Sequence, residues 1–181
     1  MTLNGVVRAN GATPQQGVRR LGVTVYDYAG VDPEMLAMAK RIASDVYLHA
    51  GIEIEWVEPD GFEDIGRFYV NLLSNEMAAR FSASKETVGF AMPGSLAASA
   101  MYDRIREIAH DHRLPCGVLL GYVMAHELGH LLLPAHSHSE VGLMRPNLDM
   151  HLAVAKKLRF TRDQAAQMLE RLPVPAVVST H

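Results

Sequence analysis

The chain has 181 residues, near the usual size of one domain and enough to bury a sizeable core. Its 49% hydrophobic and 20% charged content is ordinary for a globular protein, and a net charge of −3 without any Lys/Arg-rich cluster argues against nucleic acid or an anionic membrane as partner. The single cysteine, Cys116, excludes an internal disulfide and a Cys-rich metal site, and its place before an apolar helix suits a small buried hydrophobe.

The start, MTLNGVVRANGATPQQG, is polar and rich in Gly, Asn and Gln. Residues 1–17 read as a flexible segment ahead of one domain over 18–172, with 173–181 as a tail. No cationic stretch followed by an apolar core is present, so no signal peptide is visible in this chain. A complete chain is expected in the cytoplasm, and one whose leader had been removed is expected outside it. No apolar run approaches the roughly 18 residues of a membrane-spanning helix.

Leu21 to Tyr26 reads as a strand. Asp32-Pro33-Glu34 opens a helix, with Asp as N-cap and Pro at the first helical position. Met35, Leu36, Ala39, Ile42, Ala43, Val46 and Tyr47 recur at helical spacing, and Gly51 closes the element. Ile52 to Val57 alternates strictly, with Ile52, Ile54 and Trp56 on one side, and Arg67 to Leu73 alternates through Phe68, Val70 and Leu72. Thr87 to Ala91 is a shorter strand. Ala98 to Arg104 reads either as a strand or as the opening of a helix running through Ile105 and Ile108. Thr161 to Leu172 reads as a C-terminal helix, with Thr161 and Gln164 spaced as a capping box.

The chemistry concentrates between Ala125 and Pro146, AHELGHLLLPAHSHSEVGLMRP. His126, Glu127 and His130 form H-E-x-x-H. On a helix, residues i and i+4 share a face, so both imidazoles present to one point, where a zinc ion can sit at about 2.0–2.1 Å from each nitrogen. Glu127 lies about 100° round the helix, able to reach a water at the metal without binding the metal. Zinc lowers the pKa of such a water to roughly 7, and a neighbouring carboxylate can then take its proton. The flanks support this reading. Gly117 to Leu133 is apolar on every face, which implies a buried helix, where two histidines and a glutamate are costly unless paired or metal-bound.

A catalytic zinc takes three protein ligands and leaves one position open. The metzincin pattern, H-E-x-x-H-x-x-G-x-x-H followed by a methionine turn, counts its third histidine onto His136, but has Leu133 where the pattern has glycine. Pro134, which disfavours the α conformation at Leu133, provides the helix exit instead. The segment also resembles a group of small bacterial zinc-metallopeptidase-like proteins that share HELGHLLL, then His-Ser, then Gly-Ile/Leu-Met-Arg. In this chain those positions are His126 to Leu133, His138-Ser139 and Gly142 to Arg145, with Pro134 where that group has glycine. The resemblance implies His138 as third ligand, with His136 in its place by the metzincin count. It also implies that Met144 forms the methionine turn, an apolar floor beneath the metal. Arg145 would brace that turn or touch substrate. Tyr122, one turn before His126, reads as core. His49, His110, His112, His151 and His181 have no evident ligand partner.

The element order is similar to the metzincin catalytic fold. It implies an α+β single domain in which a twisted mixed β-sheet packs on an N-terminal helix and the buried H-E-x-x-H helix, with a C-terminal helix added. Such a fold implies an extended peptide bound along an edge strand, for which Thr87 to Ala91 is the candidate. The function so implied is a monomeric zinc-dependent endopeptidase acting on peptide or protein substrates with Glu127 as general base. Two alternatives stand beside it. One is a non-catalytic zinc protein whose histidine site is closed by a fourth ligand, with both His136 and His138 available. The other is a peptidase of another branch whose third ligand is a carboxylate, Asp149 or Glu140.

Overall fold

The computed structural model describes residues 18–59, 67–81, 86–92 and 94–173. The segment 1–17 and residues 174–181 of the tail, His181 among them, lie outside the described residues. Strand β1 (Arg19–Asp27) leads into helix α1 (Pro33–His49), which returns to β2 (Ile52–Val57), parallel to β1. Then come β3 (Phe68–Leu73), a short helix α2 (Asn75–Ala78) with a 3-10 turn at Ala79–Phe81, β4 (Gly89–Ala91) and β5 (Ala97–Met101). Helices α3 (Tyr102–Asp111), α4 (Cys116–Leu132), α5 (Met150–Val154) and α6 (Arg162–Arg171) follow. The five strands form one mixed sheet in the order β2-β1-β3-β5-β4, parallel throughout except for β4, which runs antiparallel to β5 at an edge. The sheet, the two helices packed on it and the C-terminal helix form the α+β single domain that the element order implies.

Local chemistry accounts for most boundaries. The Asp32 carboxylate accepts hydrogen bonds from the Glu34 and Met35 amides, and Gly51 (φ 80°) takes the chain out of α1 in a conformation costly for other residues. Ile52 and Ile54 of β2 are buried while Glu53 and Glu55 are exposed. The capping box of α6 is formed: the Thr161 hydroxyl accepts from the Gln164 amide, and the Gln164 side chain accepts from the Thr161 amide. Ala98 to Arg104, readable as strand or helix, is divided at Met101 between β5 and α3. Leu73 is buried although it points away from the main core, because Ala78 of α2 covers that end of the sheet.

The main core lies between one sheet face (Leu21, Val23, Ile52, Ile54, Val70, Leu72) and helices α1 and α4. Helix α4 is buried from Gly117 to Gly129 without interruption, which matches its lack of a polar face. It lies unusually close to α1. A β-carbon on Gly121 would stand 2.6 Å from the Ala39 carbonyl oxygen, and one on Gly117 would stand 2.7 Å from that of Met35. Because the obstructing atoms are backbone, a side chain there cannot be absorbed by a rotamer change. Gly121→Ala is therefore expected to destabilise the protein by about 1–3 kcal/mol, the usual cost of overpacking. Urea denaturation measures this, and an unchanged midpoint would mean that the two helices stand further apart.

Candidate metal centre

Helix α4 brings His126 and His130 to its cleft-facing side one turn apart, as H-E-x-x-H requires. Leu133 leaves the helix in an extended conformation (φ −98°, ψ 162°), as expected of a residue before proline. The chain then turns through His136, whose φ of 61° is left-handed, and returns His138 to the helix. The ring of His138 lies 5.5 Å from that of His126 and 4.7 Å from that of His130, centroid to centroid. One potential ligand nitrogen from each of the three lies within 4.8 Å of the others. His136 lines the same cleft without joining this group, and neither Asp149 nor Glu140 belongs to it. Asp149 is engaged instead as the N-cap of α5, accepting from the Leu152 amide, and forms an ion pair with Arg145 at 3.4 Å.

Hydrogen bonds orient the imidazoles. The Nδ1–H of His126 donates to the Leu143 carbonyl oxygen at 2.8 Å, which leaves Nε2 with a bare lone pair in the neutral ring. His130 Nδ1 stands 3.0 Å from the Ser137 hydroxyl oxygen. The two Nε2 atoms face each other at 3.0 Å. Either His130 Nε2–H donates across that gap, or both lone pairs point into it and a cation must hold them. The spacing is close to the about 3.3 Å between two nitrogens on one tetrahedral zinc. Imidazole nitrogens suit zinc and other divalent transition metals, so the donor set fits such an ion.

The supports behind these rings are main chain and loop. Met144 is fully buried, its Sδ 2.8 Å from where a β-carbon on Gly129 would stand, so the thioether packs on the α4 backbone one residue before His130. The turn carrying Leu143 and Met144 is tied down by the Leu143 amide, which donates to the Arg159 carbonyl at 2.7 Å, and by the Ser139 amide, which donates to the Met144 carbonyl at 2.9 Å. The Gln164 side-chain amide, already part of the α6 capping box, donates to the Ser139 hydroxyl at 3.0 Å and so holds the loop that carries His138. Tyr122 lies in the core with Arg159 as neighbour. Cys116 is half-buried, and burial pushes its thiol up, so it is not a poised thiolate.

The rings and Glu127 stand in a cleft of about 1160 Å³ beneath β4. Its walls are the strand segment 86–92, Ile105 and Ile108 of α3, Leu119 and Val123 of α4, and Pro146, Leu148 and Met150 after the turn. Sequence reasoning missed three participants: the Ser137 hydroxyl behind His130, His112 at the cleft wall, and the close approach of Gly89 to Glu127. Only Ser137, within the histidine loop, carried a local signal.

Burial governs the site's electrostatics. It pushes the Glu127 carboxyl up from its ordinary 4.5 to about 8. It pulls His126 down, opposed by the hydrogen bond to Leu143, and takes His130 from 6.5 to about 4 with help from the neighbouring imidazoles.

No protein-family model matches this chain, and no curated protein matches it by sequence. Among solved structures, the fold is similar to the crystal structure of archaemetzincin from Methanopyrus kandleri. The TM-score is 0.51 at 14% identity, over 88% of this chain and 98% of that one. At that identity the likeness is one of fold. No helix among the described residues is long and apolar enough to cross a membrane.

These shifts set the pH response of the metal-free chain. Between 4.5 and 6.5 the unfolded chain protonates both imidazoles and not Glu127, while the folded chain protonates Glu127, whose carboxyl titrates at about 8, and resists protonation at His130 down to about 4. The His130 and Glu127 protons then offset each other, and the lowering of His126 leaves stability rising with pH. From 6.5 to about 8 only the folded state retains the Glu127 proton, so stability falls. The melting temperature of chelator-treated protein should fall between pH 6.5 and 8, and saturating zinc, which favours the carboxylate, should remove that decline. A melting temperature that climbs steadily to pH 8 without metal would contradict a buried, unpaired Glu127.

Proposed function

We propose that this chain is a zinc-dependent endopeptidase in which His126, His130 and His138 hold the metal and Glu127 is the general base. The observation that carries the reading is the convergence of three imidazoles beside a buried carboxylate on the floor of an open cleft. The likeness of fold to archaemetzincin supports it. The group contains three ligands among the described residues and no fourth, which favours an open catalytic site over a closed structural one. Met144, buried against Gly129 of the helix, fits the role of the methionine turn.

A zinc ion held by these residues would supply Lewis-acid polarisation of the scissile carbonyl and of the attacking water. The rest is the work of the chain. The Glu127 carboxylate accepts the proton of the attacking water and delivers it to the departing amine. Without metal, apolar burial favours the protonated carboxyl, and a bound cation would shift it back toward the carboxylate that serves as base. Leu143 and Ser137 keep the ligand imidazoles aimed through their Nδ1 atoms.

The substrate reading follows from the edge of the sheet. The Val88 carbonyl accepts from the Met101 amide at 2.8 Å, and the Met92 amide donates to the Ala97 carbonyl at 3.2 Å. Strand alternation therefore turns the main-chain groups of Gly89 and Ala91 away from β5 and toward the cleft. An extended peptide can add there as a further strand. Ile105, Ile108, Leu119, Val123 and Leu148 make the inner wall apolar, so a bulky apolar side chain beside the scissile bond is favoured.

The test pairs metal content with cleavage of casein and of a peptide library. Glu127→Ala should keep one zinc per chain and lose activity by about 10²–10⁴-fold. His138→Ala should lose the metal, whereas His136→Ala should keep it. Zinc retained by His138→Ala would overturn the ligand assignment, and tightly held zinc without turnover of any peptide would mark a structural site. Within the library, bulky apolar residues at the cleavage point should outrun acidic ones by about tenfold or more, since a charge in that wall has no partner.

A further inference from the structure

Glu127 presents an unusual problem of placement. The residue is buried, yet its carboxyl makes no hydrogen bond or ion pair with any described residue, and desolvation alone shifts its proton affinity. Nothing polar fixes its rotamer, so shape must. The shape comes from β4. A β-carbon on Gly89 would stand 2.6 Å from Glu127 Oε1, 2.7 Å from Cγ and 2.8 Å from Cδ. Three atoms of one side chain therefore occupy the space that any other residue at position 89 would fill. The φ of Gly89 lies outside the left-handed region, so the backbone would accept any amino acid there. Glycine also weakens a strand, more so in an edge strand of three residues. A side chain at this position would force Glu127 to move.

We propose that Gly89 is a positioning residue for Glu127: the missing side chain is the slot that holds the carboxylate over the histidine cluster and under the edge strand. The inference rests on the endopeptidase reading. It also joins two roles at one residue. The main-chain groups of Gly89 face the cleft, where a peptide would pair, while its Cα face carries the carboxylate. The strand that would set the register of the substrate is thus the one that sets the place of the base.

The test is a double-mutant cycle on the zinc-loaded chain with Gly89→Ala, Glu127→Ala and the combination. The expected result for Gly89→Ala is a kcat lower by about 100-fold or more, since it displaces the base. Zinc content should be unchanged and KM should stay within about threefold, because uniform substrate binding is untouched. In the Glu127→Ala background the same change should have no further effect on kcat, because Gly89 acts only through Glu127. A multiplicative loss in the double variant, or a rise in KM with kcat preserved, overturns the proposal. A second arm needs no turnover. Without zinc, Gly89→Ala should lower the melting temperature when Glu127 is present and leave it unchanged when Glu127 is alanine. If Gly89→Ala alone does not fold, folding of the double variant supports the proposal and failure of both overturns it. If the wild type cleaves nothing, the endopeptidase reading fails by itself. The melting cycle then decides whether Gly89 holds Glu127: coupling retains that placement and its absence overturns it.

Discussion

Helix α4 is enclosed along nearly its whole length, so every polar atom on it must be answered by something that reaches in. Most of the helix is apolar and asks for nothing. The Tyr122 hydroxyl is answered in the core by Arg159, and the other three polar side chains, His126, Glu127 and His130, all face one cleft. His126 is answered at Nδ1 by a main-chain carbonyl and His130 by a loop hydroxyl. Their Nε2 atoms are left facing each other with one proton at most between them. Desolvation penalises charging either ring, which keeps both neutral and available as ligands. A protein that buried this arrangement with no cation in view would bear a cost with no return in packing.

The loop segments around α4 follow from the same demand. Leu143 is close enough to receive the His126 proton only because its turn is pinned to Arg159 and because Met144 fills the space over Gly129. Ser137 and His138 are held from the other side by Gln164, through Ser139. One glutamine side chain thus caps a helix and steadies the histidine loop. This explains why it is buried when most glutamines are exposed. The C-terminal helix is therefore a mechanical support of the centre although it contributes no residue to the histidine group.

Legibility in the sequence followed the range of the interactions. H-E-x-x-H is written within one helical turn, and the burial of its helix is written in apolar flanks, so both could be read directly. Strands with one covered face, such as Ile52 to Val57, alternate visibly. Helices α2 and α5 span too few residues to show a period, and they emerge only where Ser74 and Asp149 cap them. Counting from the helix pointed to His136, and resemblance pointed to His138. The structure groups His138 with the helix pair because Pro134 makes the exit extended and His136 spends its own backbone on the left-handed turn. No spacing rule encodes that detour. Gly89 was illegible for a different reason: its partner is 38 positions away (127 − 89), and a glycine in a strand carries no mark of what it faces.

The contrast between the two faces of the carboxylate is instructive. The general base proposed for this site must keep a fixed place and still exchange a proton with a reactant. Hydrogen-bond donors around Glu127 would fix its position but would also stabilise the anion and draw its proton affinity down. Steric placement avoids that conflict, because contact with a bare Cα restrains the side chain without favouring either protonation state. The edge strand can supply such a contact only where it lacks a side chain, and only if it passes closely over the helix. An antiparallel edge strand laid across α4 satisfies both conditions, which gives β4 a reason to be short, glycine-bearing and set against the cleft.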